Sequence, residues 1–433
     1  MLIADTNILY EATKASMKGS SWKREPQKYY NSWLTELYQL KNELENRTYS
    51  TAKCTEFTLN ERGKVRHIHG NRMRDRVVRH ALCDQVLEPC LGKYLIYNNG
   101  ASQKGKGISF SRKVFEEDLH RYYLKYHTND GYIGFVDLSK FYDNIRHDKV
   151  KELIYPKIPE DTWWLMDEVL KNFEIDVSYM SDEEFSRCMD EKFDSVKYYE
   201  NVPESARTGQ KMMKKSVNIG DQVSQNIGVF FPTRIDNYCK IVRGLKFYGR
   251  YMDDMYFIVR TKEEAESVID GIKERAKELG LFINDKKTHA VKLSSNYKYL
   301  QIKYSLTETG KVIKRINPVS VTRERRRLKA YKRILDRGDI TYHTVEEAYK
   351  SWMGEYASLM SKVQVSNMKS LYKELFGKEP RWKKGSPSSS QTKQRSKGSS
   401  TGTTSSQARQ SKMECSMTST SSVQPSTEIP WST

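Results

Sequence analysis

Apolar positions recur at helical spacing through residues 25–46, where Trp33, Leu34, Leu37, Leu40 and Leu44 predict an amphipathic helix. The next distinctive text, "ERGKVRHIHGNRMRDRVVRHAL" (61–82), begins strand-like and turns helical near Asp75. "GYIGFVDLSKFYDNI" (131–145) predicts a short buried strand ending at Asp137, followed by a turn into a helix near Lys140. "KFYGRYMDDMYFIVR" (246–260) reads as two strands about a tight Met-Asp-Asp tip. Residues 262–279 predict a helix with Ala265, Val268, Ile269, Ile272, Ala276 and Leu279 on one face, and Gly280 stands where a helix C-terminal glycine belongs. "LFIND" and "YKYLQIKYSLTETGKVI" predict further strands, and 345–376 a helical region with Trp352 and Tyr356 four apart. Strands and helices interleave without the regular alternation of a doubly wound sheet, so the expected class is α+β.

Composition changes this picture at two places. From Lys384 the chain is rich in Ser and Thr and nearly free of aliphatics, so 384–433 is expected to be a disordered tail. Residues 181–204 hold eight acidic against three basic side chains and read as a solvated insertion outside the core. The 433-residue chain carries a net charge of +19, which favours a polyanionic partner, nucleic acid before an anionic membrane. No apolar run is long enough to span a bilayer. The opening "MLIADTNILYEATKAS" lacks the order of a secretory signal. Six scattered cysteines suggest neither a zinc site nor a disulfide framework, and reduced thiols in the cytoplasm are the expectation.

Three aspartates carry the candidate chemistry. Asp137 ends one strand, and Asp253 and Asp254 form the tip of a hairpin. If those strands are neighbours, three carboxylates meet at one sheet edge. Such a set suits Mg²⁺, which takes oxygen ligands and keeps positions open for water and phosphate. Two ions so held would serve an in-line phosphoryl transfer. The alternative is that Asp137 caps the helix expected near Lys140 and that the Asp pair fills a turn.

These residues resemble a known family. "FVDLSKFYDNI" and "YMDD" are similar to the two metal-binding motifs of reverse transcriptases, and the order of the other motifs resembles the prokaryotic branch that includes group II intron, retron and diversity-generating retroelement enzymes. "GKVRHIHGNRMRDRVVRHALCDQVLEP" resembles the fingers motif, and "NNGASQKGKGISFS" (98–111) the motif after it. "LGLFINDKKTHAVKL" and "YKYLQIKYSL" resemble the two motifs that follow the catalytic hairpin. The resemblance covers residues 30–375.

It implies a right-hand polymerase: N-terminal helices and fingers over 1–130, a palm over 131–310 with a fingers motif and the acidic insertion within 155–235, and a basic helical thumb over 311–383. Asp137, Asp253 and Asp254 would be the catalytic metal ligands, joined by the backbone carbonyl of Leu138, for two Mg²⁺ ions or Mn²⁺ in their place. Tyr142 matches the aromatic beneath the incoming sugar. Arg66 and Arg74 match positions that grip the triphosphate, and Lys287 matches the lysine after the hairpin helix. Gly220 would let backbone approach the nucleotide closely, and Lys104 and Lys106 would contact nucleic acid.

One departure is informative. Where most reverse transcriptases read Gln-Gly-x-x-x-Ser-Pro, this chain reads Ile219-Gly220 and then Ser224-Gln225. That form resembles the diversity-generating enzymes, and loss of a polar contact at Ile219 implies error-prone copying, above all at template adenines. In residues 311–333, ten basic side chains face one acid. A helix bearing Arg323, Arg326, Arg327 and Lys329 would track a nucleic-acid backbone. The implied partners are an RNA template, a DNA or RNA primer, dNTPs and a small basic accessory protein, with no membrane. Three readings stay open: a diversity-generating polymerase, a reverse transcriptase of an antiphage-defence or retron-like system, and a non-catalytic RNA-binding protein.

Overall fold

The computed structural model describes residues 2–382 except Arg62 and Asn201. The Ser/Thr-rich tail expected from residue 384 lies outside the described residues. The described residues form two compact units, the larger running to Leu300 and including Tyr304–Ile313, the smaller formed by Gln301–Lys303 and 314–382.

The larger unit is organised by a four-stranded antiparallel sheet, in the order Tyr248–Tyr251, Asp254–Val259, Tyr132–Asp137, His289–Lys292. Both faces of its middle strands are covered, so they read as continuous apolar runs rather than as alternation. Val136, Met255, Phe257 and Val259 share a core with Ala265, Val268, Ile272 and Ala276 of the helix Lys262–Glu278. On the other face Phe115, from the helix Ile108–Tyr126, meets the rings of Phe135 and Tyr256. Gly134 allows this sheet to close: a Cβ there would lie 2.2 Å from the Phe257 ring.

Three expectations need correction, and a fourth, the helical region 345–376, is met by two helices rather than one. The helix expected over 25–46 is two helices, Arg24–Asn31 and Trp33–Glu45, broken at Ser32, whose N–H reaches back to the Tyr29 and Tyr30 carbonyls. Leu37, Leu40 and Leu44 are buried, but Leu34, just past the break, is exposed. The acidic insertion is not simply solvated. Cys188 and Phe193 form a small core with Ile175, Val177, Met180 and Met213, because apolar residues hide between the charges that dominate its composition. The helix expected near Lys140 begins only at His147, since Lys140 takes φ +48° and a short 3₁₀ turn, Tyr142–Asn144, intervenes. The region 345–376 is two helices, Tyr342–Tyr356 and Lys362–Phe376.

The smaller unit packs those two helices with the helix Pro318–Asp336 around Leu328, Val345, Tyr349, Met353, Met368 and Tyr372. Among the described residues no helix is long and apolar enough to cross a membrane.

Candidate active site

Sheet register brings the carboxylates together. Asp137 ends its strand directly opposite Asp254, which begins the neighbouring one. Directly opposed side chains stand on one face with Cβ atoms about 4.5–5.5 Å apart. Asp253 precedes them in the turn, beside Met252, which holds φ +55°. A non-glycine residue takes that conformation only where its surroundings enforce it.

Arg250 supplies the enforcement. Its fully buried guanidinium donates Nε and Nη2 to Asp236 at 2.9 and 2.7 Å, Nη2 to the Val229 carbonyl at 2.8 Å, and Nη1 to the Met252 carbonyl at 3.1 Å. Asp236 also accepts the Tyr248 hydroxyl at 2.7 Å. A buried ion pair thus anchors the backbone of the tip. Sequence reading passed over Arg250, although a lone charge inside an apolar strand was a visible signal.

Asp137 does not cap a helix. Its Oδ1 accepts Asn284 Nδ2 at 2.8 Å, its Oδ2 accepts Lys287 Nζ at 2.6 Å, and its carbonyl accepts the Asn284 N–H at 2.8 Å. Asn284 was also missed; nothing but its place three residues before Lys287 marked it. Leu138 is buried and bridges to Ile283.

The electrostatics match concentrated negative charge. Burial, then the charge of Asp137, raises the Asp253 carboxyl above its ordinary range. Crowding by protein, then Asp253 and Asp137, pushes Asp254 up to about 7. The Asp254 side chain still reaches solvent. Burial disfavours the Lys287 ammonium, but the bond to Asp137 and the charges of Asp254 and Asp253 outweigh it and raise its pKa. Carboxylates that repel one another and retain solvent access are a donor set suited to a hard divalent cation.

A family model for reverse transcriptase (RNA-dependent DNA polymerase) matches residues 52–304, more than half of the chain. The chain belongs to the reverse transcriptase family. No curated protein matches it. Members of this family are nucleotidyltransferases that act on nucleic-acid templates and primers with nucleotide substrates, and they use divalent metal ions.

Beside the carboxylates of this reverse transcriptase stands Tyr142. The half-buried Tyr142 places its hydroxyl 3.9 Å from Met252 Sδ, and burial, then Asp253, raises its pKa. Its ring lies against the helix Gln222–Phe230, where a Cβ on Gly228 would be 3.0 Å from the hydroxyl. Ile219 accepts the His69 N–H through its carbonyl at 3.4 Å, and Gly220, at φ +103°, sits against Ile68. Asp221 then caps the helix, accepting the Val223 N–H at 2.6 Å, and is held by Asn71 and by an ion pair with the buried Arg79. Arg79 was not singled out from sequence, because five basic residues in a short stretch masked the one that folds inward.

Arg66 is exposed on the strand Lys64–Gly70, opposite Leu59 of the hairpin. Arg74 is not presented alongside it: Glu43 binds it at 2.6 Å and Glu36 stands 3.5 Å away. Gln225 is exposed and faces Ser102, 3.4 Å away, and both line a polar cleft of about 290 Å³ with Lys104 and Glu88. Lys104 pairs with Glu88 at 3.2 Å and Asp84 at 3.6 Å. Lys106 donates to the Tyr97 and Asn99 carbonyls at 2.9 and 3.2 Å. In the smaller unit Arg323, Arg326 and Lys329 are exposed, while Arg327 binds the buried Glu324 at 2.7 Å.

Proposed function

We propose that the chain is an RNA-directed DNA polymerase in which Asp137, Asp253 and Asp254 hold Mg²⁺ ions against the nucleotide phosphates, with Leu138 contributing its carbonyl. The register of Asp137 on Asp254, with Asp253 at the adjoining tip, carries this reading. A chain that only bound RNA would gain nothing from negative charge concentrated beside a phosphate backbone. Bound divalent ions supply charge stabilisation to the attacking and departing oxygens of the transfer.

The chain's own residues orient the rest. Lys287 and Asn284 fix the rotamer of Asp137 from the strand side, and Arg250 fixes the backbone that presents Asp253. Tyr142 forms the floor beneath the incoming sugar and favours a deoxynucleotide, because a 2′-hydroxyl would meet its ring. Arg66, at the exposed hairpin, is suited to the triphosphate by its forked donors. Arg74 is better read as a brace for the helices Trp33–Glu45 and Met73–Leu82, since its donors already meet Glu43 and Glu36. The larger unit then carries fingers and palm, and the smaller one the thumb, whose Arg323, Arg326 and Lys329 grip the backbone of the template–primer duplex.

Primer extension on an RNA template with dNTPs and Mg²⁺ tests the proposal. Wild type should make DNA, and Asp253→Ala/Asp254→Ala should lose it by about 1,000-fold or more, the loss expected when charge stabilisation is removed. Extension by the double variant at the wild-type rate would overturn the assignment.

Within the family we place the chain with diversity-generating enzymes, on the Ile219-Gly220-x-x-x-Ser224-Gln225 form. The carbonyl of Ile219 is tied to His69 and Gly220 lies against Ile68, so this loop is fixed while the side chain at 219 offers no polar contact to a base. Sequenced cDNA should show errors concentrated opposite template adenines, and Ile219→Gln should reduce them. An unchanged error spectrum would remove the diversity-generating reading and leave a defence or retron-like role.

A further inference from the structure

We propose that Glu56, His67 and His69 form a second metal site, for Zn²⁺, on the Thr55–Glu61/Lys64–Gly70 hairpin. His67 and His69 are two apart on one strand and so share a face, while Glu56 is the direct cross-strand partner of His69. Glu56 Oε2 lies 3.6 Å from His67 Nε2, and Glu56 Oε1 lies 3.9 Å from His69 Nδ1. All three ligand atoms fall within 4.8 Å of one another. Tetrahedral Zn²⁺ with donors near 2.0–2.1 Å places them roughly 3.4 Å apart, so the two Glu56 contacts, at 3.6 and 3.9 Å, already lie close to that spacing. Two imidazoles and one carboxylate are the donors of zinc rather than of Mg²⁺, and a fourth position stays open to water.

The surroundings support this assignment. Both imidazoles are buried. Burial, then Arg207, holds His67 down to about 4, and burial, then His67 and Arg79, holds His69 down to about 3. Glu56 is partly exposed and shares its Oε2 between His67 and Arg207 Nη1, which stands 3.7 Å away, so a metal would compete with Arg207 for this carboxylate. The other grouping of this kind, His343, Glu346 and Glu347, is weaker, because Glu346 already accepts the Arg381 N–H and faces Lys350.

A metal here would bind across the strand pair and lock its register. The same strand carries Arg66, and the His69 N–H holds the Ile219 carbonyl. The ion is thus a staple for the base of the hairpin. This inference stands on the hairpin alone and survives if the polymerase reading fails.

The test uses the full chain as Asp253→Asn/Asp254→Asn, which removes the other concentration of carboxylates. Equilibrium dialysis against Zn²⁺ alone should find one tight equivalent, and His67→Gln/His69→Gln in that background should weaken it by about 100-fold or more. Glu56→Gln, at a partly exposed position that leaves the fold intact, should weaken it less. Co²⁺ in place of Zn²⁺ should give the intense visible absorption of a tetrahedral site, and Zn²⁺ should slow amide exchange across 55–70. Stoichiometric binding unchanged by both variants would overturn the proposal, as would loss of binding on His343→Gln instead, or no binding to the unmutated hairpin.

Discussion

The tip of the Asp253–Asp254 hairpin and the basic helix Pro318–Asp336 are both charged, but they use charge in opposite ways. At the tip, a few side chains are held by specific partners: Arg250 by Asp236, Asp137 by Asn284 and Lys287. Along the helix, Arg323, Arg326 and Lys329 project from an exposed face, while Arg327 is held on Glu324 and Lys332 on Asp336. Chemistry at a bond needs atoms placed within fractions of an ångström, whereas a grip on a polyanion needs only density of charge. Damage to one residue should therefore be severe at the tip and shallow on the helix.

Arg250→Met puts the sharpest strain on this contrast. It leaves Asp236 buried and unpaired, which costs about 3–5 kcal/mol of stability. It also frees the Met252 carbonyl, so extension by the folded fraction should fall about 100-fold. Denaturant unfolding separates the first effect from the second in rate assays at low temperature. A normal rate from folded Arg250→Met would show that the tip holds its own shape.

On the helix, Arg323→Gln/Arg326→Gln/Lys329→Gln should leave kcat at saturating template–primer unchanged. The slope of log affinity against log salt should become shallower by about 2. Binding titrations over a salt series measure it, and a lost kcat with an unchanged slope would reverse the contrast.

The smallest effect on stability is expected from Asp254→Asn. Asp254 is raised to about 7 from an ordinary value near 3.8. Between those values the folded state holds a proton that the unfolded state has released, so the wild type loses stability as pH rises through that window. In metal-free protein above pH 7 the Asn variant should melt a few degrees higher while its activity is lost. Solvent access to Asp254 keeps the gain modest. Equal Tm values across the pH range would mean that the like charges are already screened.

Much of the site was legible because strands write it into short, contiguous text. The apolar runs around Asp137 and around Asp253 and Asp254 mark buried strands, and acids at their ends stand out. The helix Lys262–Glu278 and its following Gly280, at φ +71°, follow from periodicity and the need for a left-handed cap. Less visible was the small core of the acidic insertion, in which Cys188 and Phe193 are spaced among acids too irregularly for a period to show. Nor did Arg74 differ in text from Arg66 or Arg79, yet one is braced by two glutamates, one is exposed and one is buried on Asp221.

By itself the sequence determined the class of the elements, the basic character of the chain and the identity of the three carboxylates, since each depends on neighbours along the chain. Tertiary structure decided the register that sets Asp137 opposite Asp254, the choice of Arg250 as the anchor of the tip, and the meeting of Glu56 with His67 and His69. Those depend on which side chains are desolvated together, and a buried charge finds its partner across space rather than along the text.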